Sequence, residues 1–391
     1  MSTAWKQSRR HFLQAATSCL AVPLTLGSAL ADESSRDPKS GDGAHPRSRP
    51  FTDYKPLLAT LKARGHYHRV LGHAPDRSPV VAVRCGGKRQ PAIFISAGSH
   101  ATEHAGVVSA VDLMDELQTE HEVWILPTRD PIGLSGFRYA LSLGLGEQPQ
   151  LESLADVEPL LRSEGEVLYD EGDTLLVQIG EIGYANRGLY RKFEPGSPFL
   201  DSLRGRRIYF PSRSEDQPGA ERLARAYTLV VTPEGEILHL NRFHDTRWAP
   251  AEVACARRLM AELKPKLTLD LHEYGGDAFW FSARHQQTEE DEVWERRMAE
   301  QAIQAARGIE ARLAPDDYSP GSFFSKMEQG VFWLEADKRG EGLNLIDFAA
   351  HRYGPGFTVE TGMRQPFARR LQLHKLVTRT AVAVFEERYR S

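Results

Sequence analysis

The segment His100-Ala101-Thr102-Glu103-His104 has the residue types and spacing that could bind a metal ion, and it directly follows an apolar run. His100 and Glu103 are three residues apart, so on one helical turn their side chains project to the same side and can contact one ion. Zinc accepts both imidazole nitrogen and carboxylate oxygen. The segment also fits HxxEH, in which both histidines bind zinc and the glutamate is the base. A polar helix start without any metal, with Glu103 favoured by the helix dipole, is the third interpretation.

Two further apolar runs end in residues of the same kind. Residues 267–271 lead into His272, and Asp270 lies on the same strand face, where it could orient the imidazole. Residues 356–359 lead into Glu360, a carboxylate that is costly to bury unless it is paired or functional. Because ligands bind at the carboxyl ends of strands in open α/β sheets, these residues predict one metal site together with the first segment. The alternative is a core histidine that caps its strand.

Strand and helix patterns alternate along the chain around these residues. Strands are predicted at 91–97, 123–127, 266–271 and 356–360, and helices at 102–117, 249–263, 289–312 and 366–390. The alternation predicts an α/β fold with an open, mixed but largely parallel sheet that has helices on both faces. The stretch 139–235 breaks the alternation and is predicted to be a long insertion with small strands of its own, at 174–179 and 227–231.

The first 31 residues are typical of a twin-arginine export signal, because Arg9-Arg10 precede a modestly apolar run that ends in Ala29-Leu30-Ala31. Cleavage after Ala31 would leave a periplasmic or secreted protein, exported by the twin-arginine machinery. Residues 32–50 would then form a flexible arm, and 51–391 one catalytic domain with the insertion. The run is shorter than a membrane-spanning helix needs, and no stable membrane insertion is expected once it is removed.

Composition narrows the possible functions. The 391 residues contain 49 Lys and Arg against 53 Asp and Glu, a formal net charge of −4, which argues against nucleic-acid binding. Among the three cysteines, Cys85 and Cys255 would remain after cleavage. Neither belongs to a CxxC or Cys/His metal motif. The two could pair in an oxidising compartment, but we expect both to be buried separately, because Cys85 ends a strand pattern and Cys255 lies within a helical one.

Five segments together resemble the zinc metallocarboxypeptidases of the carboxypeptidase A/B type. They are AGSHATEHAG (97–106), LPTRDPIG (126–133), HLNRFHDTRW (239–248), KPKLTLDLHEYGG (264–276) and LIDFAAHRYGPGFTVETG (345–362), in the order of the family. The resemblance implies that His100, Glu103 and His272 bind one zinc ion and that Glu360 is the general base. It also implies that Asn241 and Arg242 hold the terminal carboxylate of a peptide.

The sequence departs from this family at three places. His239 stands where the family has an acid that supports a zinc histidine. The position of the family's mobile tyrosine falls on Arg339, and Tyr318 or Tyr353 could replace it. The arginine that stabilises the oxyanion belongs in the stretch that the insertion replaces, where the candidates are Arg187, Arg191, Arg206 and Arg207.

These observations predict an exported zinc metallocarboxypeptidase that hydrolyses a C-terminal peptide bond through a zinc-activated water, with Glu360 as the base. Two alternatives remain open. One is a related zinc deacylase that acts on N-acyl amino acids, which the altered tyrosine and insertion would suit. The other is a metal-binding module without catalysis, although an intact Glu360 argues against it.

Overall fold

The computed structural model describes residues 49–212, 222–283, 288–322, 324–334 and 342–390. The predicted export signal, nearly all of the predicted arm and Arg339 lie outside these residues. In the described part of the chain, no helix combines the length and the apolar character needed to cross a bilayer.

The described residues contain fifteen strands and nine α-helices. The strands are β1 Tyr67–His73, β2 Pro79–Gly86, β3 Arg89–Ala97, β4 His121–Leu126, β5 Glu166–Glu171, β6 Thr174–Ile179, β7 Ile182–Ala185, β8 Arg207–Pro211, β9 Ala226–Val231, β10 Ile237–His239, β11 Leu267–Tyr274, β12 Phe279–Ala283, β13 Phe324–Glu328, β14 Val331–Leu334 and β15 Gly356–Gly362. The helices are α1 Tyr54–Arg64, α2 His104–Glu116, α3 Pro131–Leu134, α4 Phe137–Leu145, α5 Val157–Glu164, α6 Ala251–Leu263, α7 Glu289–Gly308, α8 Leu345–Arg352 and α9 Phe367–Arg388.

Nine strands form one open mixed sheet, in the order β1-β2-β4-β3-β11-β15-β12-β14-β13. The strands β4, β3, β11 and β15 at its centre run parallel to one another, and β12 is parallel to β14. The other four pairings are antiparallel. The α/β class is confirmed, but the parallel arrangement is concentrated at the centre, where the apolar runs are buried on both faces.

Helices cover both faces of this sheet, as the sequence predicts. On one face, α1, α2, α7 and α9 pack their apolar side chains against the sheet. On the other face, α6 and α8 do so. Cys85 lies in the first of these cores and Cys255 in the second, and both are buried free thiols. They are therefore separate, as expected.

The stretch 139–235 contributes most of a second sheet, in the order β10-β9-β8-β7-β6-β5. All its pairings are antiparallel except that of β7 with β8. Two of its strands, β6 and β9, coincide with the small strands predicted from the sequence, and α4 and α5 pack against one face. The last strand, β10, leads directly into the motif that contains Asn241 and Arg242.

Candidate metal centre

The first predicted ligand pair lies in a tight turn between β3 and α2. The chain leaves the sheet at Gly98, whose φ of +57° and close approach to the Thr128 side chain require glycine. The backbone N–H of Glu103 donates to the carbonyl of His100 at 3.1 Å. Nδ1 of His100 thereby lies 2.6 Å from Oε1 of Glu103. The pair is thus held by a turn that precedes the helix, which begins at His104 and not at residue 102 as predicted.

His272, near the end of β11, completes a three-residue group. Its Nδ1 lies 2.8 Å from Oε2 of Glu103, so the two oxygens of one carboxylate face two imidazoles. One ligand atom from each of His100, Glu103 and His272 can be chosen so that all three lie within 4.8 Å of one another. His104 is not in this group, although its side chain is buried. This geometry supports the predicted ligand set over the HxxEH interpretation.

Each imidazole has a partner on its far side. Nε2 of His272 lies 2.8 Å from Oδ2 of Asp270, the orienting contact predicted from the strand alternation. Nε2 of His100 lies 2.9 Å from Nδ1 of His239, the residue that replaces the family's acid. Such contacts fix the ring and direct the other nitrogen, here Nδ1, toward Glu103 and a metal.

The charges of the site fit a cation. Burial opposes ionisation of Glu103, but His100 and His272 outweigh burial and lower its pKa to about 2. Burial also opposes the charged form of His272, but Asp270 and Glu103 raise its pKa well above the usual value. The site therefore stabilises positive charge between its carboxylates. Because two imidazoles and one carboxylate are a donor set of catalytic zinc, these residues fit one divalent ion.

Glu360 lies on β15 directly beside His272 in the parallel register. Its Oε2 is enclosed and has no hydrogen-bond partner. Burial raises the pKa of Glu360 to about 8, His272 opposes this shift, and Glu103 and Asp270 add to it. A partly buried carboxylate that has one enclosed, unpaired oxygen and a raised pKa, adjacent to a predicted metal ligand, is suited to accept a proton.

The predicted substrate pair lies in the turn after β10. Asn241 is buried, and its Oδ1 accepts a hydrogen bond from the Leu345 backbone at 3.1 Å. Its Nδ2 lies 3.3 Å from Oδ2 of Asp270, so the amide is engaged within the protein on both sides. Arg242 is partly exposed and donates to the carbonyl of Asn241 at 2.8 Å. Substrate binding by both residues stays a prediction.

All four candidate arginines for the oxyanion have partners within the protein. Arg187 pairs with Asp173, Arg206 with Glu181 and Arg207 with Glu252. Arg191 directly follows Tyr190, whose ring lies edge-on to His239 with centroids 4.7 Å apart. The guanidinium of Arg191 lies over the ring of Tyr190, 5.3 Å from its centroid.

The two candidate tyrosines lie in different parts of the fold. Tyr318 packs beside Tyr274 and Trp280. Burial raises the pKa of Tyr318, and the charges of Tyr274 and Glu360 add to that shift. Tyr353 instead packs on Phe348 in the core beneath α8. The structure therefore brings Tyr318 into the neighbourhood of the predicted base.

Sequence reasoning missed two residues of the site. Arg129 is fully buried and contacts Asp270, and its position just after β4, at the same sheet edge as the ligands, was an available signal. Tyr227 on β9 stacks on the ring of His100, with centroids 5.0 Å apart and an interplanar angle of 17°. Nothing in the irregular stretch around Tyr227 indicated that contact.

No protein-family profile and no curated protein matches the chain. Among solved structures, it is similar to bovine thrombin-activatable fibrinolysis inhibitor in complex with tick carboxypeptidase inhibitor, with 13% identity over 87% of this chain and 99% of that one and a TM-score of 0.46. It is similar to carboxypeptidase A from Helicoverpa armigera, with 13% identity over 87% and 73% of the two chains and a TM-score of 0.45. A metallo-carboxypeptidase from Burkholderia cenocepacia has 12% identity over 85% and 68% and a TM-score of 0.42. At such identities, the chemistry of the site rests on its own residues.

Proposed function

We propose that the protein is a zinc-dependent hydrolase of amide bonds, a metallocarboxypeptidase that releases the C-terminal residue of a peptide. One observation carries the proposal. The two carboxylate oxygens of Glu103 each face Nδ1 of a histidine, and Glu360, whose Oε2 has no hydrogen-bond partner, lies on the neighbouring strand. This combination of a cation site and an adjacent proton acceptor is what metal-assisted hydrolysis requires.

The ligands and the base would divide the chemistry between them. His100, Glu103 and His272 would hold one zinc ion, which when bound lowers the pKa of water toward about 7 and polarises a carbonyl. Glu360 takes the proton of the attacking water and transfers it to the leaving amine. General acid–base catalysis of this kind typically contributes about 10²–10⁴-fold to the rate.

Arg242 is the residue to which we assign the terminal carboxylate of the substrate. The residue is partly exposed, and its positive charge adds to burial in lowering the pKa of His239 beside the ligands. A planar guanidinium can bind a carboxylate with two parallel hydrogen bonds. We assign stabilisation of the oxyanion to Arg191, because the preceding residue, Tyr190, contacts His239.

The experiment is to incubate the zinc-loaded protein with a panel of peptides and with N-acyl amino acids. We expect free amino acids to be released from the peptides only. A Glu360→Gln variant should lose about 10²–10⁴-fold in turnover and keep its metal, because only the proton acceptor is removed. Glu328→Gln is the matched control. Glu328 is also a partly buried glutamate, but it lies on a different strand, β13, and pairs with Arg307 at 3.9 Å.

Each alternative has its own result in this experiment. Action on N-acyl amino acids alone would replace the carboxypeptidase by the deacylase. Undiminished turnover in Glu360→Gln would remove the assignment of the base, and no turnover on either substrate class by the metal-loaded protein would favour a binding module.

Export is part of the same proposal, supported by Arg9-Arg10 and the apolar run that follows. We expect the N-terminus of the exported protein to begin at Asp32. An exported protein that still starts at Met1 would contradict the proposed cleavage.

A further inference from the structure

A fully buried arginine lies behind the predicted metal ligand His272. Arg129 and Asp270 both have 0% solvent exposure. Nη2 of Arg129 donates to Oδ1 and Oδ2 of Asp270 at 2.9 and 2.7 Å. Oδ2 of Asp270 in turn lies 2.8 Å from Nε2 of His272. A continuous chain of hydrogen bonds therefore joins the arginine to the metal ligand.

The other end of the guanidinium is also fixed. Nη1 of Arg129 lies 3.2 Å from Oδ1 of Asn241 and 3.0 Å from Nε2 of His244. The backbone N–H of Arg129 donates to the carbonyl of Gly98 at 3.0 Å, in the turn that leads to His100. Arg129 thus contacts residues from three separate segments, all at the edge of the sheet that carries the ligands.

Stability alone is a weak reason for such a pair. Removing two charges from water costs several kcal/mol per ion, and buried ion pairs can often be replaced by apolar residues without loss. What the guanidinium adds is direction, because Nη2 contacts both oxygens of Asp270 while Nη1 is held by Asn241 and His244. These contacts determine where the acceptor for His272 lies.

We propose that Arg129 is a positioning residue for the metal centre. By binding both oxygens of Asp270, it fixes the acceptor to which Nε2 of His272 donates its proton, and so keeps Nδ1 of His272 directed at Glu103 and at the metal. This inference rests on the proposed function, because it requires that a metal binds at His100, Glu103 and His272.

The test compares Arg129→Gln and Arg129→Lys with the wild type. It measures their zinc affinity by competition with a chelator and the absorption spectrum of their cobalt-substituted forms. We expect both variants to bind zinc about 10–100-fold more weakly, the usual effect of losing an outer-shell partner. The cobalt spectrum should change as well. Lysine keeps the positive charge beside Asp270 but not the planar guanidinium, whose Nη1 and Nη2 contact different partners, so this variant separates orientation from charge.

The matched control is Arg388→Gln, which also removes a largely buried arginine side chain from an ion pair. Arg388 contacts Asp291 at 2.7 Å, and this pair joins α9 to α7. We expect this control to lose thermal stability and to bind zinc as the wild type does.

Unchanged zinc affinity and an unchanged cobalt spectrum in folded Arg129→Lys would overturn this inference alone, whatever the loss of thermal stability. A wild-type protein that binds no zinc would overturn the proposed function along with it.

Discussion

At the residue scale, the site is an alternating row of acidic and basic side chains. Asp270, His272, Glu103 and His100 follow one another through contacts of 2.8, 2.8 and 2.6 Å. Each carboxylate in the row favours positive charge on its neighbours, which explains the raised pKa of His272 despite its burial. A divalent ion among the ligands would be stabilised by the same carboxylates.

Glu360 gives the site a pH dependence of stability in the metal-free protein. Burial raises its pKa from the ordinary 4.5 to about 8. A carboxyl group whose pKa is higher in the folded state than in the unfolded state stabilises the fold below the unfolded pKa. That contribution is lost as the pH rises through the folded value. The relevant window therefore runs from about pH 4.5 to about pH 8.

We predict that Glu360→Gln gains stability relative to the wild type as the pH rises through this window, because glutamine does not ionise. The measurement is the melting temperature of both chelator-treated proteins across the window. Glu147→Gln, at an exposed position, is the control and should follow the wild type. A difference between Glu360→Gln and the wild type that stays constant with pH would contradict the raised pKa.

At the element scale, the parallel pairing of β3, β11 and β15 brings the ligands and the base to one edge of the sheet. Leu271 lies opposite Ala97, and His272 opposite Glu360. Helix α2 must approach β11 closely to place Glu103 between the two histidines. Gly106 permits this approach, because a Cβ atom there would lie 2.7 Å from the carbonyl oxygen of Leu271.

We predict that Gly106→Ala destabilises the protein by about 1–3 kcal/mol, the usual cost of overpacking, because helix or strand must shift. Denaturant unfolding would measure the loss. Gly308→Ala is the matched control, since Gly308 is also helical but a Cβ atom there meets nothing within 4 Å. Equal stability of the two variants would show that the contact between α2 and β11 is looser than described.

At the scale of the whole molecule, the sequence predicted the strands and helices that local residue patterns encode. The apolar runs that became β3, β11 and β15 are continuous in the sequence, so the residues that follow them could be assigned to one edge of a sheet. The second sheet could not be predicted in full, because its strands are only three to six residues long and β8 is far along the chain from both of its partners, β7 and β9. Tyr227 and His239 approach His100 only through that sheet. Arg129 was missed because an arginine after a strand is ordinarily expected at the surface.

The central claim is that segments distant in the sequence form one metal site. The most direct test is the metal content of the purified protein, wild type beside His272→Ala and His104→Ala. We predict about one zinc ion per chain in the wild type and in His104→Ala, and none in His272→Ala, because the second imidazole ligand is lost. Zinc retained by His272→Ala but lost from His104→Ala would contradict the account and restore the HxxEH interpretation.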